Sequence, residues 1–308
     1  MNIIPLTIKT ASIATLFACI GMSAFAGESA SPAIINSAGG SELASDLTLG
    51  NFFTEGWDQD WSKRPHLGGA PDMALLRVQT NFLEQEVRAD YYFQNDLSSA
   101  SKKDIHFADS LVTYGVNRRL MLAVVGSYQW TEPRPGHKEL EGMSEAFLGR
   151  LQLVDTEESS YAFNFRAQAP NDGIGNKQTT LSYALAGWND LTPLGLPRVG
   201  LYYHVLEDNF LGTGAAGARR NDLTWAMSLA KTWTEPDAPV IRNFTTFLEC
   251  FNTTDLDGVT SGRTTTGLTP GIRFTLGKGH VIMAGVDIPM TTPRPYSALY
   301  RLTYIYNY

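Results

Sequence analysis

The stretch Leu299-Tyr300-Arg301-Leu302-Thr303-Tyr304-Ile305-Tyr306-Asn307-Tyr308 decides the fold. Read in twos, it places Tyr300, Leu302, Tyr304, Tyr306 and Tyr308 on one side and Leu299, Arg301, Thr303, Ile305 and Asn307 on the other. That is the alternation of a β-strand with two unlike faces. A soluble sandwich would turn its aromatic face to a core, whereas a barrel in a membrane can end on a strand whose aromatic side meets lipid. Just upstream, Ile272, Phe274 and Leu276 alternate with Arg273, Thr275 and Gly277. Gly277-Lys278-Gly279 makes a tight turn, and Ile282, Ala284, Val286 and Ile288 alternate again, so three strands close the sequence with no helix between them.

Working outward, Lys9, an apolar run from Ala11 to Phe25 and Ala24-Phe25-Ala26 have the layout of a secretory signal peptide over 1–26. Ser, Ala and Gly then dominate a leader read as flexible and periplasmic over 27–45, and the barrel is expected over 46–308. After the signal only Cys250 remains, so no intramolecular disulfide is expected, and no Cys/His cluster offers a metal site. No later run of about 18 apolar residues provides a transmembrane helix. Yet 43% of residues are hydrophobic and only 18% charged, which with generous Tyr, Phe, Thr and Trp favours strands and interfaces. The net charge of −7 supplies no basic patch for nucleic acid.

From Asp46 onward, candidate strands of about 10 to 14 residues alternate with turn signals. Short connections fall at Leu83–Gln85, Asn117–Arg118, Thr156–Ser159, Thr192–Pro197, Glu235–Pro239 and Gly277–Gly279. Longer ones lie between, at Asp96–Lys103, Thr131–Gly142, Ala169–Asn176, Glu207–Asn221 and Asp255–Gly262. Short periplasmic turns and longer outer loops are the habit of bacterial outer-membrane barrels, so the order itself points to an all-β, antiparallel up-and-down transmembrane barrel. Counting back from the end reaches thirteen strands near Met73, and because such barrels have even counts, Leu47–Thr54 is added to give fourteen. Twelve is the alternative if the N-terminal strand and one weak early strand do not span.

Strand parity separates the faces. Lipid is assigned Ala74, Leu76, Val78; Val87, Ala89, Tyr91, Phe93; Leu120, Leu122, Val124; Phe147, Leu151, Leu153; Tyr161, Phe163, Phe165; Leu201, Tyr203, Val205; and Leu223, Trp225, Met227, Leu229. The opposite parity holds Arg77, Arg88, Asp90, Arg150, Arg166, His204, Glu249, Arg273, Asp287 and Arg301, which are the candidate lumen-lining residues. A charge on the lipid face costs roughly 2 to 4 kcal/mol at the midplane, so charges that share one parity face a polar lumen or each other. Neighbouring strands would set Arg77 beside Arg88 and Asp90, Arg150 beside Arg166, and Asp287 near Arg301. Such a ladder either neutralises itself and fills the interior, or uses its excess arginine to select anionic or hydroxylated aromatic solutes.

Trp130, Trp233, Tyr128, Tyr306 and Tyr308 stand at strand ends as candidate interface girdles. Trp188 can be counted with them, or with Phe247 and Phe251 as residues that would narrow the lumen. Trp57-Asp58-Gln59-Asp60-Trp61, in a proposed loop, is a candidate constriction folded into the lumen or a plain surface loop.

Leu268-Thr269-Pro270-Gly271-Ile272-Arg273, the strand and turn that follow, and Val281-Ile282-Met283-Ala284-Gly285-Val286-Asp287-Ile288-Pro289 carry a resemblance. They are similar to the end of the outer-membrane barrels grouped as transporters of the phenol meta-degradation pathway. The match covers the C-terminal hairpins and little upstream of them. The resemblance implies a barrel in the bacterial outer membrane and passage of hydrophobic or aromatic compounds, with fold carried over more firmly than function.

Catalysis is not expected. No G-x-S-x-G occurs, His66, His137 and His280 fall in or near loops, and Ser127 or Ser228 with His204 is no more than any serine-rich chain offers. Asp255-Leu256-Asp257-Gly258 lacks the further ligands of a cation loop. The expectation is a cofactor-free channel or passive transporter whose partners are lipid and a small solute. The alternative is a structural or adhesion barrel sealed by its own charged side chains.

Overall fold

The computed structural model describes residues 45–62, 69–95, 104–132, 141–171, 178–212, 220–292 and 294–308. The expected signal sequence over 1–26, all of the expected leader but Ser45, and His66 and His137 lie outside these. Asp46–Tyr308 forms one compact unit.

Twelve antiparallel strands make a closed barrel. They are β1 (Glu86–Asn95), β2 (Ile105–Gly115), β3 (Leu120–Thr131), β4 (Glu141–Asp155), β5 (Ser159–Gln168) and β6 (Thr179–Asp190), then β7 (Val199–Leu211), β8 (Asn221–Thr232), β9 (Ile241–Asp255), β10 (Thr264–Leu276), β11 (His280–Pro289) and β12 (Ala298–Asn307). Each pairs with the next, and β1 closes on β12 from Glu86 opposite Asn307 to Asn95 opposite Ala298. Closure leaves no strand edge for lipid to penalise. One end of the barrel gathers the tight connections between β2 and β3, β4 and β5, and β10 and β11, together with the start of β1 and the end of β12. The other end carries the longer loops, as the spacing predicts. β7 reaches further than expected, to Leu211, so Glu207–Phe210 belong to the wall.

The expectation of fourteen strands is not met, and both surplus segments are accounted for. Leu47 makes a single antiparallel bridge to Asp155, after which the chain turns through Leu49–Thr54. This segment lies at the short-turn end, where the fully buried Arg119 holds it. Its Nε donates to the Glu55 carbonyl at 2.9 Å, Nη1 to Leu153 O at 2.9 Å and Nη2 to Asn51 Oδ1 at 2.9 Å. Residues 73–81 belong to no strand and bend at 76–78. They lie inside the barrel.

On the barrel strands for which parity assigned faces, the outward and inward sets agree with the observed burial. Val124, Leu185, Leu229, Val205 and Leu302 are all more than half exposed on the outer face, while Ala123, Ala184, Ala230, His204 and Thr303 beside them are buried. An apolar surface this continuous is untenable in water and suited to lipid. Trp188 points inward and is 1% exposed, so it narrows the lumen and is no girdle residue.

Candidate functional site

The lumen is occupied by the chain itself. Residues 69–85 enter at the short-turn end, rise to mid-barrel, bend at Leu76–Val78 and return to the same end to begin β1. The way in is fixed by Tyr202, whose hydroxyl donates to Pro71 O at 2.6 Å. The bend is held by Glu249 of β9, whose carboxylate accepts the backbone N–H of Arg77 at 3.1 Å and of Val78 at 2.9 Å. Successive amides converging on one carboxylate form an anion-holding concavity, filled here by a side chain of the wall. On the way out, Gln79 N–H donates to His204 Nδ1 at 3.0 Å, Asn81 Nδ2 to Ser160 O at 3.0 Å, and Trp61 Nε1 to Leu83 O at 3.1 Å. Arg150 Nη1 donates to Phe82 O.

Apolar contacts complete the seat. Met73, Ala74, Leu75, Leu76, Val78 and Phe82 are buried against Trp188, Tyr202, Phe247, Phe251, Met283 and Ile305. Full burial of a side chain of this size is worth about 1.5–3 kcal/mol. Gly285 makes room for the bend, since a Cβ there would stand 2.5 Å from Leu76 Cδ1. Three expectations are corrected by this arrangement. Arg77 is not on the wall, Ala74, Leu76 and Val78 do not face lipid, and Arg77 does not neighbour Arg88 and Asp90.

The remaining candidates are on the wall and face inward. Arg77 Nη2 reaches Asp287 Oδ2 at 2.9 Å and Tyr296 Oη at 2.9 Å, with its guanidinium 4.0 Å from the Phe251 ring centroid. Asp287, wholly buried, also accepts from Arg301 Nε at 2.8 Å and from Thr269 Oγ1 at 2.7 Å. The expected Asp287–Arg301 pair is therefore present. Arg88 Nε binds Asp90 Oδ2 at 2.8 Å on its own strand, and Thr303 Oγ1 donates to the same carboxylate. Arg150 Nε donates to Asn164 Oδ1 at 2.8 Å, and the register sets Arg166 opposite Leu148, so Arg150 and Arg166 are not partners. Arg166 and Arg273 each bury an Nε that no described residue accepts.

The Trp57–Trp61 segment stays out of the lumen. Trp57 Nε1 donates to Phe52 O at 2.6 Å, Asp58 and Asp60 are exposed, and Trp61 lies over Gly115. A cavity of about 30 Å³ bounded in part by Trp61, Phe82, Glu84 and Arg118 is left at this end, room for little more than water.

Above the bend, toward the longer loops, a cavity of about 250 Å³ opens. Gln79 forms part of its floor, and its wall includes Gln129, Arg166, Gln168, Asn171 and Gln178. Thr180, Ser182, Leu206, Asp208 and Phe210 complete the far side. Of these, only Arg166 was a candidate from the sequence. The parity that exposed His204 to the lumen also exposes Leu206, Asp208 and Phe210 of the same strand.

No known protein family matches the chain, and no curated protein does. Among solved structures, the chain is similar to a KdgM porin at 9% identity, with 72% of this chain and 99% of that one covered and a TM-score of 0.48. It is similar to the β domain of the Bordetella autotransporter Brka at 11% identity, covering 73% of this chain and 100% of that one, TM-score 0.45. A bacterial polysaccharide outer membrane secretin aligns at 9% identity over 73% of this chain and 99% of that one, TM-score 0.41.

Proposed function

We propose that the chain is an outer-membrane channel for small hydrophilic solutes, closed by the re-entrant segment 69–85 and opened when that segment leaves the lumen. The observation that carries this reading is the seating of the bend on Glu249, inside a barrel whose outer face suits lipid. With short turns periplasmic, the segment inserts from the periplasm. The space above it is lined by carboxamides, hydroxyls and a guanidinium. Such groups favour hydrogen-bonding solutes over the aromatic compounds that the phenol meta-degradation resemblance implies, because an apolar solute would strip them of water without replacing its hydrogen bonds.

The apolar seam around Met73, Leu75 and Phe82 favours a second reading, a permanently sealed structural barrel. Planar-bilayer recording separates the two. The full-length protein is expected to open rarely, and a variant lacking 70–83 to conduct steadily. A deletion variant that keeps its β-sheet circular dichroism and heat-modifiable mobility yet stays silent sinks the channel reading.

A further inference from the structure

The cavity above the bend has a charge layout that selects its ligand. Antiparallel register puts Arg166 of β5 opposite Ser182 of β6, and Ser182 opposite Asp208 of β7. The next rung toward the loops holds Gln168, Thr180 and Phe210 in the same order. Two strand spacings separate Arg166 from Asp208, roughly 10 Å between backbone positions. The anionic side of this rung continues, since Asp208 faces Asp222 and Asp222 faces Asp255. Asp255 at the far end is paired with Arg263, and among the described residues that line the cavity Arg166 is the one cation.

Arg166 differs from the other lumen arginines just described as bound. Arg77 and Arg301 share Asp287, Arg88 has Asp90, and Arg150 is spent on Asn164 and Phe82. Arg166 has no hydrogen-bond or ion-pair partner among the described residues, and its Nε is shut off from solvent. Its field reaches Asp109 of β2 without an ion pair between them. A guanidinium is a rigid fork of donors that matches a carboxylate, and leaving it without an acceptor in a confined lumen is unfavourable. Around it stand carboxamides, each both donor and acceptor, as every hydroxyl is.

We propose that this cavity is a binding site for a hydroxylated carboxylic acid, a hydroxy acid or sugar acid. Its carboxylate lies on Arg166, and its hydroxyl groups lie along Gln168, Thr180 and Ser182 toward Asp208. Asp208 accepts Ser182 Oγ at 2.5 Å, which orients that hydroxyl at the far side of the site. The carboxylate is kept from the Asp208 side by like charge. Phe210 offers a ring for the C–H face of the ligand. The site deepens the channel reading and rests on it for its purpose, whereas binding itself needs no current.

Isothermal titration of the full-length chain, refolded in neutral detergent, tests the site with D-glucuronate, its neutral isostere D-glucuronamide, benzoate and glycylglycine. Glucuronate is expected to bind at least tenfold more tightly than glucuronamide, with benzoate and glycylglycine weaker than glucuronate. Arg166→Gln should erase the difference between glucuronate and its amide, and Arg166→Lys should restore part of it. Equal affinity for the two in the wild type overturns the proposal, as does a preference that survives Arg166→Gln, or tighter binding of benzoate or glycylglycine. Glucuronate binding by a barrel that never conducts supports the site and removes the channel. Conduction without glucuronate binding keeps the channel and overturns the site.

Discussion

Glu249, on the wall, accepts the amide N–H of Val78, in the threaded segment, at 2.9 Å across 171 residues of sequence. The same carboxylate takes the amide of Arg77, so one side chain satisfies both donors of the bend. The Val78 donor is buried, and an unsatisfied buried donor costs about 1–3 kcal/mol.

Glu249→Ala should therefore loosen the bend more than it harms the wall. The expected outcome is a higher open probability in planar bilayers with the twelve-stranded barrel retained, and Glu249→Gln, which keeps one acceptor oxygen, should fall between wild type and alanine. An alanine variant with unaltered gating and unaltered urea unfolding would show that the carboxylate is not what holds the segment.

Asp287 serves two guanidinium groups, so the members of this cluster are not equivalent. Arg301→Ala leaves Asp287 bonded to Arg77 and Thr269, and a loss of about 1 kcal/mol is expected. Among the described residues, Asp287→Ala leaves Arg77 only the Tyr296 hydroxyl and Arg301 only the Leu76 carbonyl, with no counter-charge between the two guanidinium groups, for which about 3 kcal/mol is expected. Urea unfolding of the refolded variants in detergent gives the ranking, and the reverse order would mean that the two arginines are satisfied elsewhere.

How much of this was legible follows from what alternation can and cannot report. Tyr300 and Leu302 against Arg301 and Thr303 fixed the direction of the faces, and most strands obey it because lipid and lumen impose opposite chemistry on adjacent residues, β2 departing with Ser110 on the outward parity of Val112 and Leu111 on the inward parity of Thr113. The same signal misassigned residues 73–81. An extended chain inside a lumen shows Leu76 and Val78 in alternation with Arg77 and Gln79 much as a wall strand does. One sign was present: Met73-Ala74-Leu75-Leu76 is apolar without a break, which a wall strand between lipid and a polar lumen would not tolerate, and an odd strand count accompanied it. Arg119 was also silent in the sequence, because a lone arginine in a tight turn normally lies in solvent, and only the segment carrying Glu55 and Asn51 buries it. The 250 Å³ cavity was not legible at all, since it depends on the segment's stopping below Arg166.

The outer face gives a prediction with a built-in control. Leu185 lies midway along β6 and faces outward, and Leu185→Arg should cost roughly 2 to 4 kcal/mol in a lipid bilayer. Val240, more exposed still, precedes β9 in a turn at the short-turn end, and Val240→Arg should cost about 0–1 kcal/mol at the interface. Equilibrium unfolding in short-chain phosphatidylcholine vesicles measures both. Equal penalties would mean that the apolar belt does not sit in lipid at the depth assigned.

Trp61 and Gly115 make the last test, at the point where the threaded segment leaves the lumen. A Cβ on Gly115 would stand 2.4 Å from the Trp61 ring, and the same ring donates its N–H to Leu83 O. Gly115→Ala therefore ejects the indole and removes the donor that pins the returning chain beside β1. The hydrogen bond alone is worth about 0.5–1.5 kcal/mol, and the lost packing adds to it. Trp61→Ala removes the same two interactions from the other side, so the double variant should be hardly less stable than Trp61→Ala alone, a departure from additivity that contacting residues show. Urea unfolding provides the cycle, and iodide quenching of tryptophan should rise in Gly115→Ala. Additive losses would place the effect of the alanine in β2 itself, leaving the exit of the segment to be held by Thr113, whose hydroxyl donates to Glu84 O at 2.7 Å.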